Sequence, residues 1–173
     1  MTLYSYAVEH DNGYAPNPYF GVCTLFRCEF RKSAAGGASE RSAGHRKLVY
    51  AMRVDEKLTR EEYYKARRFA QKKPVQGGKY EQTRGDNERP HNHDERNQFA
   101  LVSRHFSYFG AKAICIPKDL DIEKKGPGFR SHFDQADIGR FVEWLKRTSK
   151  RGKRGEPCYR EPPKGSRRCK LSC

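Results

Sequence analysis

The run Tyr14-Ala15-Pro16-Asn17-Pro18-Tyr19-Phe20 sets aromatic rings around a carboxamide, on a backbone that its two prolines keep out of regular structure. Flat rings stack on a nucleobase while an amide hydrogen-bonds one of its edges, and each stack is worth about 1–3 kcal/mol. A base pocket built from Tyr14, Asn17, Tyr19 and Phe20, joined by Tyr50, Arg53 and Tyr108, is therefore expected. A plainer reading stands beside it: Tyr19 and Phe20 plug the end of a barrel as core.

Other residue types that carry chemistry are scattered. Asp86, Asp94, His105 and His132 could each act as an acid or base, but no spacing of nucleophile and base stands out among them. His91-Asn92-His93-Asp94-Glu95 does not make an HNH nuclease site, which draws its residues from well-separated positions. Its alternate histidines lack a third metal ligand nearby. Cys23-x4-Cys28 and Cys158-x10-Cys169-x3-Cys173 lack the paired short spacing of a zinc site, so Cys23 and Cys28 are expected in the core and the tail thiols free. Gly36-Gly37 and Gly77-Gly78 precede no Lys-Ser/Thr and no helix start, unlike a phosphate-cradling loop. No metal and no cofactor are expected.

Charge points to a polyanion. The net charge is +15, and residues 146–173 hold eleven Lys/Arg against two Glu, a net +9 that leaves +6 for the first 145 residues. A basic tail on a mildly basic body is the footprint of a protein that meets phosphate backbones, although a solvated tail that keeps the chain soluble has the same composition. Phosphate contacts are expected from Arg67, Arg68, Lys72, Lys73, Arg130, Lys150, Arg151, Lys153 and Arg154. The opening Met1-Thr2-Leu3-Tyr4-Ser5 carries no secretory signal, and no apolar run is long enough to span a bilayer. Six cysteines in 173 residues are too few for a disulfide scaffold. The expected setting is the cytoplasm, without a membrane.

The elements that must position these residues read as follows. Leu3–Glu9 and Val22–Phe30 are strand candidates; on the second, Phe26, Cys28 and Phe30 share a face. Residues 33–46 are small and carry no hydrophobic pattern, which predicts a loop. Leu48–Val54 is apolar on nearly both faces, as a central strand requires. Thr59-Arg60-Glu61-Glu62 is a capping box that predicts a helix of about three turns, to Gln71. Residues 72–97 read as a long loop. Phe99–Ser103, Phe106–Phe109 and Ala111–Ile116 are further strands, and Gly126-Pro127-Gly128-Phe129-Arg130 is a hard turn. Ser131 and Asp134 cap a last helix with Ile138, Phe141, Val142 and Leu145 on one face, and Gly152 ends it. Strands in runs with two or three helices predict an α+β fold: a small, mostly antiparallel barrel or strongly curved sheet over residues 1–150, then a disordered tail over 151–173.

Several stretches resemble one prokaryotic family. Tyr4–Leu25 carries the most specific of them, with Gly13-Tyr14-Ala15-Pro16-Asn17-Pro18-Tyr19 at its centre. Leu48–Val54, Gly85-Asp86-Asn87, Ser107-Tyr108-Phe109-Gly110, Gly126–Phe133 and Phe141–Leu145 follow in the same order. Over roughly residues 3–155 the chain resembles the nucleotide modification associated domain family, second type. The resemblance implies a place in systems that make or handle modified nucleotides, and no specific activity. The strand order is also similar, at fold level only, to PUA and EVE-type barrels, which hold a flipped or modified base. Relatives usually carry a Gly-Asp-Trp-Val-type strand after the second strand. Here Arg31–Gly44 is short and Gly/Ala-rich, so that strand is expected to be missing. The sequence thus predicts a binding module for DNA or RNA, with modified bases among its targets. The alternatives are a base-modifying enzyme using Asp86, His105 or His132, and a subunit that docks on a modification enzyme.

Overall fold

The computed structural model describes residues 2–8, 11–26, 33–38, 44–73, 81–82, 91–92, 99–124 and 128–158. In chain order its first strands are β1 (Tyr4–Val8), β2 (Cys23–Phe26), β3 (Ser33–Ala38), β4 (Lys47–Arg53) and β5 (Glu56–Thr59). Helix α1 (Arg60–Lys65) and a 3₁₀ helix at Arg67–Lys72 follow, then β6 (Glu81–Gln82) and β7 (His91–Asn92). The second half holds β8 (Phe99–Ser103), β9 (His105–Tyr108), a 3₁₀ turn at Gly110–Lys112, β10 (Ile114–Cys115), β11 (Phe129–Arg130), α2 (Gln135–Thr148) and β12 (Gly152–Lys153).

The main sheet has seven strands in the order β11-β1-β3-β4-β9-β12, with β10 on β4, and a second sheet runs β2-β8-β5. Pairing is antiparallel except for β1 with β3 and β9 with β12. The fold is α+β with a strongly curled sheet, as expected.

β4 explains the layering. It is buried at every position but Arg53, since β3 and β9 flank it and both its faces are covered. On one face, Tyr50 and Met52 stand opposite Tyr108 and Phe106 of β9 and pack with Cys23, Leu25 and Leu101 of the second sheet. On the other, Leu48 and Ala51 meet Ile138 and Phe141 of α2. The second sheet turns Phe26, Ala100 and Val102 outward onto Tyr63 and Phe69, with the Tyr63 and Phe69 rings stacked at 4.5 Å. The order of layers is thus α2, main sheet, second sheet, α1.

Four expectations need correction. Residues 33–38 form β3, between β1 and β4, so a strand does follow the second one where it was expected to be missing. Backbone ladders on both sides hold it, and such ladders do not depend on side-chain pattern. The capping box is present, with Thr59 N–H donating to Glu62 at 2.7 Å and Glu62 N–H to the Thr59 hydroxyl at 3.2 Å. Its helix, however, stops at Lys65, where Ala66 turns extended (ψ 118°) so that Phe69 reaches the Tyr63 ring. The Lys73 ammonium closes that end by donating to the carbonyls of Tyr64 (2.5 Å) and Ala66 (2.8 Å). At α2, Asp134 is the N-cap residue, but its side chain makes no cap hydrogen bond.

The fourth correction is the tail. Gly152–Lys153 joins the main sheet beside β9, and Arg154 N–H donates to Tyr108 O at 2.7 Å. Farther on, Cys158 N–H donates to the Asp11 carboxylate at 3.1 Å. Residues 151–158 therefore belong to the body. Strand β2 ends at Phe26, and residues 27–30, with Cys28 and Phe30, lie outside the described residues. Cys23 and Cys158 are buried, and Cys115 is disulfide-bonded.

Candidate functional site

α2 carries its apolar stripe as the sequence spacing requires, but the stripe does not close fully on the sheet. A cleft of about 720 Å³ remains between α2 and the strands β4 and β9, within the usual range for small-molecule sites. Leu3 and Ala51 from the sheet side and Phe141 and Leu145 from α2 give it an apolar lining. One end is polar for a topological reason. β12 runs parallel to β9 with Gly152 beside Ser107, so Lys150 and Arg151 arrive next to His105 and Phe106. Arg53 stands opposite His105 across the β4–β9 ladder. Lys146 also lines the cleft but is held by Glu143 at 2.8 Å. The exposed Lys150 and Arg151 side chains have no ion pair among the described residues.

Asp55, just beyond β4, organises that end. Its backbone N–H donates to Val102 O at 2.9 Å, which aims its carboxylate at the start of β9. The carboxylate accepts from Arg104 N–H (2.7 Å) and Arg53 Nε (3.0 Å), and its two oxygens lie 3.0 and 3.1 Å from His105 Nδ1. Partial burial opposes its charge, yet the Arg104, His105 and Arg53 donors outweigh that and hold the carboxyl below the usual range. Asp55 can only accept when ionised, so its bond to His105 requires the tautomer with the hydrogen on Nδ1, in which Nε2 is the acceptor. Arg53 Nη2 lies over the same ring edge, 2.7 Å from Nδ1 and 3.3 Å from Nε2. The Ser103 hydroxyl accepts the His105 backbone N–H at 3.0 Å and steadies the strand.

The expected base pocket is not assembled as one site. Tyr50 and Arg53 are three residues apart on one strand, so they project to opposite faces of the sheet. Tyr50 and Tyr108 are fully buried on the inner face, while Arg53 opens on the cleft. Asn17 is fully buried as well, and its side-chain oxygen accepts from Lys72 Nζ at 2.6 Å and from Tyr19 N–H at 3.4 Å. Tyr14 is 8 % exposed. Tyr19 lies under the Lys153 ammonium, 4.6 Å from the ring centroid. Phe20 is 43 % exposed at φ 59°, so it plugs no barrel end.

The expected phosphate contacts divide in the same way. Lys72 is 1 % exposed and clamps the proline loop, donating also to Asn17 O at 2.9 Å. Burial pulls its ammonium down to about 7. Arg68 pairs with Glu56, and Lys73 is spent on the end of α1. Arg130 pairs with Asp121 at 2.9 Å and stacks on Phe133. Lys153 pairs with Glu156, and Arg67 and Arg154 are exposed. Only Lys150 and Arg151 of that group line the cleft.

Among the acid–base candidates, His105 is in the cleft, His132 is exposed on the stretch before α2, and Asp86 and Asp94 lie outside the described residues. His91 and Asn92 form β7, paired with β6. Among the described residues no three His, Cys, Asp or Glu side chains gather as a metal site would need. No described helix is long and apolar enough to cross a membrane.

Two acids escaped the sequence reading. Asp55 has no signal beyond lying two residues after the last residue of a strand. Asp11 reads as part of an Asp-Asn-Gly turn, yet it is fully buried, accepting from the Tyr108 hydroxyl at 2.5 Å and from Cys158 N–H. Its burial raises its carboxyl above the ordinary range, although both of those donors pull the other way.

Comparison with known proteins places the chain. No curated protein and no solved structure matches it, so the PUA-type likeness has no support from that side. The family model described as nucleotide modification associated domain 2 matches residues 1–90 and 87–162, which takes in both sheets, the cleft and the β12 segment. The chain belongs to the nucleotide modification associated domain 2 family.

Proposed function

We propose that the chain binds a nucleotide unit, free or within DNA or RNA, in the cleft between α2 and the main sheet, and does so for a nucleotide modification system. The family supports the setting. The observation that carries the reading is the cleft itself: an apolar lining sized for a base and sugar, with Lys150 and Arg151, which have no ion pair among the described residues, beside Arg53 at one end. A phosphate at that end meets fixed positive charge, and the base lies toward Leu3 and Phe141. The target includes bases that carry a modification.

The reading is tested by titrating the protein with a labelled single-stranded oligonucleotide and with deoxynucleoside monophosphates at two salt concentrations. Binding should weaken with salt, since each neutralised phosphate of a single strand adds about 0.7 to the logarithmic slope. The double variant Lys150→Glu with Arg151→Glu should flatten that slope by about one to two units and weaken both ligands. Binding that ignores salt, or that the double variant leaves intact, refutes the reading.

A further inference from the structure

We propose that the cleft also turns its ligand over: His105, held by Asp55, is the general base in hydrolysis of the phosphomonoester of a nucleotide bound there. The inference rests on the binding reading above and adds a reaction to it. Three observations carry it together. The His105 imidazole is held at Nδ1 by a carboxylate that is itself fixed by a backbone N–H and an arginine. It faces a cleft large enough for a nucleotide. The cations that would seat a phosphate, Arg53, Lys150 and Arg151, converge on this same end through the β4–β9–β12 register.

The strand register therefore brings the reacting phosphorus next to His105. Once a phosphate draws Arg53 toward it, Nε2 is left to a water molecule. That water gives a proton to Nε2 as its oxygen forms a new bond to phosphorus. The bond from phosphorus to the nucleoside 5′ oxygen breaks on the far side, that oxygen takes a proton from solvent water, and the imidazolium releases its own to solvent. The products are a nucleoside and inorganic phosphate, and water is the only co-reactant. Asp55 stays ionised throughout and acts as a positioning residue, keeping Nδ1 protonated and the ring oriented. Arg53, Lys150 and Arg151 stabilise the charge on the equatorial oxygens.

The test incubates the full chain with each of the four 2′-deoxynucleoside 5′-monophosphates and measures both nucleotide affinity and released phosphate. The wild type should release phosphate from at least one of them. His105→Asn should lower kcat by about a hundredfold or more with affinity unchanged. Asp55→Asn should lower kcat while KM holds, a split that general loosening of the fold does not produce. Circular dichroism and the melting temperature of both variants establish that they are folded. Binding without phosphate release, or full turnover by a folded His105→Asn variant, overturns the hydrolytic step and leaves the binding reading standing. No affinity for any of the four overturns the binding reading and the step with it.

Discussion

Lys72 sits where a lysine is least comfortable, fully desolvated, with its ammonium shared between Asn17 and the Thr24 hydroxyl. Its folded value of about 7 lies well under its ordinary one of 10.5. Between those two values the unfolded chain holds a proton that the folded chain has released, so stability must rise with pH across that interval. The Cys23 thiol is pushed the other way, to about 12, and works against stability once the pH passes the ordinary thiol range. The window from about pH 7 to about 8.5 therefore isolates the lysine. Melting temperature should climb across it in the wild type and stay flatter in Lys72→Met; equal slopes would mean the ammonium is not desolvated. Asp11 makes a second prediction at this scale. Asp11→Ala leaves the buried Tyr108 hydroxyl without its acceptor and releases the Cys158 backbone. A loss of about 1–3 kcal/mol is expected in denaturant unfolding, with faster amide exchange over residues 152–158.

At the scale of elements, β12 decides the most. It shields the β9 edge and brings the preceding Lys150 and Arg151, which in sequence read as part of a basic tail, to the cleft. The segment after it lies so close to the 3₁₀ turn that a Cβ on Gly155 would stand 2.0 Å from Phe109 O. A Cβ on Gly110 would meet Glu156 O at the same distance. Both close neighbours are backbone atoms, so neither side can yield by a rotamer change. Gly155→Ala should lower stability by about 1–3 kcal/mol, read as a shifted thermal melt, and should weaken nucleotide binding by displacing β12. An unchanged melt would show that this segment does not dock as described. β3 shows the complementary case: it is a strand because β1 and β4 offer it hydrogen bonds on both edges, not because of its composition.

For the whole molecule, a ligand that binds only the folded state raises its stability by mass action. At a hundred times the dissociation constant the gain is about 2.7 kcal/mol. A saturating monophosphate should therefore raise the melting temperature of the wild type and not that of the Lys150→Glu, Arg151→Glu variant. A shift of equal size in both would put the ligand elsewhere. Much of the architecture was legible in the sequence. The continuous apolar run of β4 marks a central strand, the Thr59/Glu62 pair marks a helix start, and the 3.6-residue spacing of Ile138, Phe141, Val142 and Leu145 marks the helix that roofs the cleft. These are local signals, set by burial on one or both faces and by capping geometry within a few residues. The functional grouping was not legible in that way. Strand parity separates Tyr50 from Arg53, long-range hydrogen bonds turn Asn17 and Lys72 into scaffold, and the pairing of β12 with β9 brings Lys150 and Arg151 to His105. The sequence by itself determined the family, the α+β class and the excess of positive charge. Only the tertiary structure decided which charges are unpaired and which residues share a cavity, because both depend on contacts between segments far apart in the chain.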